Sequence, residues 1–108
     1  MSKYHIHPNS LDEKVQEWGS LKPLLDGSSL GSSSGFSMGL ITYNKPHYSG
    51  YHDDHEVIYI LKGRGTATIN REEISFEEGS VLIIPVNTEH EISEIREGPV
   101  RAVLIHVT

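Results

Sequence analysis

Seven short apolar segments, parted by turn-forming residues, fill most of the chain beyond residue 35, and this rhythm restricts the fold more than any other feature. They run Phe36–Tyr43, Glu56–Lys62, Thr66–Asn70, Glu73–Phe76, Val81–Ile84, His90–Ile95 and Val100–Val107. Gly63-Arg64-Gly65, Arg71-Glu72, "EEGS" and Pro85–Glu89 are among the connections. Segments this short at such regular spacing predict the strands of an all-β sandwich or barrel. "VLII" at 81–84 and "AVLI" at 102–105 are apolar on both faces. Strands of that kind are buried inside and covered outside. A second subunit would supply the cover, so a homodimer is expected, with Ile60 and Ile83 both in the core.

The first third reads differently. Ser10-Leu11-Asp12-Glu13 has capping-box spacing and predicts a short helical turn over Leu11–Glu17, stopped by Gly19 and Pro23. A short strand at Leu21–Leu25 follows, and then "LLDGSSLGSSSG" (Leu24–Gly35), a Gly- and Ser-rich mobile connection. With 108 residues, the chain is expected to form one domain: an N-terminal extension over 1–35 and a barrel over 36–107.

Composition removes several function classes. There is no cysteine, so disulfides, thiolate metal sites and a cysteine nucleophile are out. The net charge is −6 and the nine Lys and Arg are scattered singly, which leaves no basic patch for nucleic acid. The polar start "MSKYHIHPNS" and the lack of a long apolar run argue against a leader or a membrane span, and a cytoplasmic protein is the expectation. Seven histidines stand out, because imidazole is both the commonest metal ligand and the side chain that titrates near neutrality.

Those histidines concentrate in "GYHDDHEVIYILKG", Gly50–Gly63. His52 and Glu56 share strand parity, but a straight strand would separate their Cα atoms by roughly 13 Å. Asp53-Asp54 is turn-favouring chemistry where a bend would bring the two side chains together. His90 opens a later strand in "GSVLIIPVNTEH" and can meet them across a barrel mouth. Two imidazoles and a carboxylate suit one borderline divalent ion with positions left open. The same three could instead line a metal-free pocket for an organic ligand. Tyr43 and Tyr59 are expected in the wall, and His106 on the last strand reads as a satisfied or surface histidine.

The chain resembles a small single-domain cupin. That family's first motif runs Gly, five residues, His-x-His, three or four residues, Glu, six residues, Gly; His52, Glu56 and Gly63 match its second His, its Glu and its closing Gly. Its second motif runs Gly, five residues, Pro, x, Gly, two residues, His, three residues, Asn; Gly79, Pro85 and His90 match without a gap. The resemblance covers about Phe36–Val107 and implies a double-stranded β-helix, a jelly-roll β-barrel. It also implies metal ligation by His52, Glu56 and His90.

The pattern is incomplete. Asn44 stands where the first motif's opening Gly belongs and Gly50 where its first His belongs, Asn87 replaces the second motif's Gly, and Glu94 replaces its Asn. His47, Asp54 or water are the alternatives for the missing ligand. The resemblance implies a small polar organic substrate, of carbonyl, sugar or hydroxy-acid type, and isomerase, lyase or dioxygenase chemistry at one Fe, Mn, Ni, Zn or Cu ion. Glu56 and His47 are the candidate proton carriers. A non-catalytic barrel that binds or senses a small ligand is the alternative.

Overall fold

Two long strands organise the molecule, whose structure, a computed structural model, describes residues 4–108. Residues 1–3, part of the polar start, lie outside the described residues. β5 (His55–Ile69) and β8 (His90–Val107) run antiparallel, from His55 opposite Val107 to Ile69 opposite His90. The sequence predicts four strands here, but each pair is one continuous, bent strand. The bend falls where the register of β5 against β8 shifts repeatedly between Ile60 and Ala67. Gly63 permits it: its φ is +100°, and a Cβ there would lie 2.8 Å from the Glu97 carbonyl oxygen.

The other strands are β1 (Lys14–Gln16), β2 (Gly19–Asp26), β3 (Ser37–Tyr43), β4 (His47–Gly50), β6 (Glu72–Phe76) and β7 (Val81–Ile84). They lie in the order β1-β2-β3-β8-β5-β6, with β4 also on β8 and β7 also on β5. Every pairing is antiparallel. The result is the expected double-stranded β-helix: the N-terminal half of β5 lies between β7 and the end of β8, and its C-terminal half between β6 and the start of β8.

The helical turn over Leu11–Glu17 does not form. Ser10 Oγ instead donates to the His7 carbonyl at 2.8 Å, closing a 3-10 turn at Pro8–Ser10, and Ser20 Oγ donates to Glu13 Oε1. With both capping groups engaged elsewhere, Lys14–Gln16 pairs with β2. The Gly/Ser-rich connection also holds an element the sequence reading lacked, a 3-10 turn at Gly27–Leu30 capped by Asp26. The turn after β5 falls one residue earlier than expected, at Asn70-Arg71, both in the left-handed region.

Strand parity sorts the core. Ile58 and Ile60 of β5, Leu82 and Ile84 of β7, Val100 and Ala102 of β8, and Ile41 and Tyr43 of β3 are buried inward. Their neighbours face out. Ile83 is 68% exposed and so lies outside the core in which it was expected, and the wall residue Tyr59, 47% exposed, faces outward. "VLII" is apolar on two faces, and composition alone cannot say which face is the inner one.

Candidate metal centre

One rung beyond the floor pair of Ile58 and Leu82, the inward positions change character. Glu56, two residues before Ile58 on β5, sits opposite Ile84 on one side and His106 on the other, and is 5% exposed. His90, the first residue of β8, pairs with Gly50 and Ile69 and is 4% exposed. His52 reaches the same point from outside the strand, because the chain bends at Asp53-Asp54 before β5 begins. The Asn87 backbone N–H donates to the His52 carbonyl at 2.8 Å, tying together the two loops that carry the motif residues. Asn87 itself has φ +56°, the turn conformation Asn tolerates in place of Gly.

The three side chains converge on one point. His52 Nε2 lies 2.7 Å from Glu56 Oε1, His90 Nε2 lies 3.2 Å from the same oxygen, and the two Nε2 atoms are 3.3 Å apart. Ring tautomers follow from the opposite nitrogens. His90 Nδ1 donates to the Thr88 carbonyl at 2.9 Å, and His52 Nδ1 donates to the Asp54 carbonyl at 3.2 Å. A carbonyl oxygen only accepts, so each Nδ1 carries its hydrogen and each neutral ring turns an Nε2 lone pair toward Glu56.

Two lone pairs and a carboxylate facing one another repel unless a cation or a proton lies among them. Bonds of about 2.1 Å to a shared ion, meeting near right angles, put donor atoms roughly 3 Å apart. The observed spacings of 2.7–3.3 Å match that arrangement. A proton is the other way to relieve the repulsion. Burial lowers the basicity of His90, but its hydrogen bonds to Glu56 and to the Thr88 carbonyl outweigh burial and hold its pKa above the ordinary value.

The candidates for the missing ligand separate cleanly. His47 does not sit on a loop; it lies in β4 with its ring stacked on Trp18, centroids 4.2 Å apart. Burial, and then the neighbouring His90, lower its pKa. Among the described residues, the clusters whose donor atoms all lie within 4.8 Å of one another are His52–Glu56–His90 and His52–Asp54–His106, and His47 is in neither. Asp54 does not turn to Glu56. Its carboxylate meets His106 Nδ1, which is 3.1 Å from each oxygen, and His52 Nδ1, 2.7 Å from Oδ1. Burial would raise the Asp54 pKa, but the two imidazoles outweigh it and hold it low.

His106 is the site residue the sequence reading passed over. It lies on the inner face of β8, two residues past Leu104, with Nε2 3.9 Å from Glu56 Oε1. Parity counted back from Val100 and Ala102 would have found it. Tyr43 is in the wall as expected, its hydroxyl pushed well above the ordinary range by burial and by the Glu56 charge. Ser93, one residue before the place of the second motif's Asn, donates to the Thr66 carbonyl at 3.2 Å.

Comparison with known proteins agrees with the fold. The family profile described as "Cupin domain" matches residues 41–106. An acireductone dioxygenase of Exiguobacterium sibiricum is 32% identical over 74 residues, 64% of this chain and 40% of that protein. The chain spans about 40% of the length of the curated relatives it matches. Among solved structures, the cupin domain of Schizosaccharomyces pombe Cnp3 superposes with a TM-score of 0.77 at 19% identity, covering 96% of this chain and 73% of that one. A variant of Bacillus subtilis oxalate decarboxylase superposes at 0.79 with 17% identity, covering 94% and 28%. At these identities, the structural likenesses speak for the fold alone.

Proposed function

The chain belongs to the cupin family, and on that premise we propose that it is a metal-dependent cupin acting on a small polar organic molecule, with His52, Glu56 and His90 as ligands. The observation that carries this reading is the meeting of the His52 and His90 Nε2 lone pairs with Glu56 Oε1 at 2.7–3.3 Å, with both Nδ1 hydrogens held by carbonyl oxygens. A bound divalent ion of the Fe, Mn, Ni, Zn or Cu type would supply Lewis acidity toward a carbonyl or hydroxy-acid substrate, or a seat for dioxygen.

This chain's own residues do the rest. Thr88 and Asp54 fix the imidazole tautomers, the typical role of groups that orient metal-binding histidines. Ile58, Leu82 and Ile84 close the floor and exclude water from the inner side of Glu56. Substrate would therefore enter from the mouth, where Tyr48 and Tyr51 are exposed. Acireductone dioxygenase, among its sequence relatives, supports small oxygen-rich acids or carbonyl compounds as the substrate class.

The packed floor favours a second reading, a non-catalytic barrel that holds a small ligand at its mouth. Elemental analysis of tag-free protein tests the primary reading: near one divalent transition ion per chain is expected, and none from several expression media would overturn it. Turnover of oxygen-rich acids by the metal-loaded protein then separates catalysis from binding.

Two further features fit this picture. Val81, Ile83 and Tyr59 are exposed on an apolar outer face beside the half-buried Val57, Val103 and Ile105. An apolar face of this kind supports a two-fold homodimer that covers it. The cysteine-free composition supports a reducing, cytoplasmic setting. Among the described residues, no helix is long and apolar enough to cross a membrane.

A further inference from the structure

We infer that His106, from the end of the last strand, is the third imidazole of the centre, standing in for the ligand that Gly50 cannot provide, and that Asp54 is the positioning residue that aims it. The inference rests on the metal reading above and extends its ligand set.

Register comes first. β8 and β5 pair Glu56 with His106, so the two side chains leave neighbouring strands toward the same interior point. His106 Nε2 is 3.9 Å from Glu56 Oε1 and its ring centre is 5.0 Å from that of His52; it stands just outside the His52–Glu56–His90 cluster, so ligation would draw the ring inward. Second, Asp54 brackets both rings by the same atom. Its carboxylate is 3.1 Å from His106 Nδ1 and 2.7 Å from His52 Nδ1. A carboxylate that accepts at Nδ1 fixes the Nε2 lone pair as the free one, and in both rings Nε2 is the nitrogen nearer Glu56.

The rivals for the place are each committed elsewhere. Gly50 has φ +75°, a conformation that L side chains rarely adopt, so a histidine there would be strained. His47 is stacked on Trp18. A separate ion on His52, Asp54 and His106 would use the His52 Nδ1 atom, but that nitrogen carries the hydrogen donated to the Asp54 carbonyl. One centre of three imidazoles and Glu56 uses every nitrogen in the state its partners impose.

Long-range proton–nitrogen spectra of the imidazole rings, recorded on the full chain before and after addition of Zn2+, test this directly. The expected result is a metal-induced shift at Nε2 of His52, His90 and His106, with Nδ1 protonated in all three and His47 unmoved. His106→Gln should lose one shifted ring and bind Zn2+ more weakly by more than about a hundredfold, and Asp54→Asn should weaken binding about ten- to a hundredfold, as loss of an outer-shell partner does. Shifts at His52 and His90 with His106 unmoved would overturn the inference and leave the metal reading standing. No shift at any ring would overturn both. Should His106→Gln fail to fold, the spectrum of the unaltered chain decides alone.

Discussion

The floor and the mouth of this barrel are built from the same strands at the same parity, yet they have opposite chemistry. On β5 the inward positions run Glu56, Ile58, Ile60, and on β8, read backward, His106, Leu104, Ala102, Val100. Ile58, Ile60, Ile84 and Val100 are fully buried and make the floor; one step outward, a carboxylate and imidazoles take over. What separates the two regions is access to backbone acceptors. At the mouth the chain bends at Asp53-Asp54 and turns at Pro85–Glu89, which frees the Asp54 and Thr88 carbonyls to hold ring nitrogens. Within the floor, carbonyls are spent on the ladder, and only apolar groups are accommodated without cost.

The largest test of that division is Ile60→Ala. Ile60 is fully buried, and truncation should cost about 2–5 kcal/mol in chemical denaturation while leaving the number of bound ions unchanged. A near-zero cost would mean the floor is not the packed unit described here.

His90→Ala sharpens the same contrast from the other side. It should lower metal affinity more than about a hundredfold, near 3 kcal/mol, with the protein still folding cooperatively. Elemental analysis and a denaturation curve report the two quantities separately. Unchanged metal content would remove His90 from the centre.

The sequence made the mouth more legible than the floor. His52, Glu56 and His90 stand out because titratable residues seldom interrupt apolar strands, and the Asp53-Asp54 bend follows from turn chemistry. His106 escaped because its strand, "AVLIHV", is apolar on both faces, so the parity it shares with Val100 and Ala102 points inward only once those two are known to be buried. The same ambiguity put Ile83 in the core. The two long strands were missed for a related reason: Gly63 looks like a stop, although here it is the residue that lets a strand bend and continue. The helical reading of Leu11–Glu17 failed because β2 offered Lys14–Gln16 a partner, and pairing outweighs a local cap.

Gly50→Ala should have a smaller effect, about 1 kcal/mol of stability. A Cβ there would meet only Tyr48 Cε2, at 3.6 Å, so the cost comes from the backbone conformation rather than from crowding. Thermal melts of the metal-free protein measure it. A neutral result would mean the backbone at 50 is free to relax, and the strain argument against a ligand at that position would fall.

Ile83→Ala is the smallest and the most direct comparison with Ile60→Ala, since the two changes delete the same atoms. Ile83 is 68% exposed on the outer face, so within one protomer the change should stay within about 0.5 kcal/mol. If a second copy covers this face, the loss appears only as a concentration-dependent shift in the dimer equilibrium, because binding stabilises by mass action. Denaturation at two protein concentrations, with sedimentation on the same samples, separates the outcomes. A large cost independent of concentration would place Ile83 against its own chain and undo the assignment of inner and outer faces on β7.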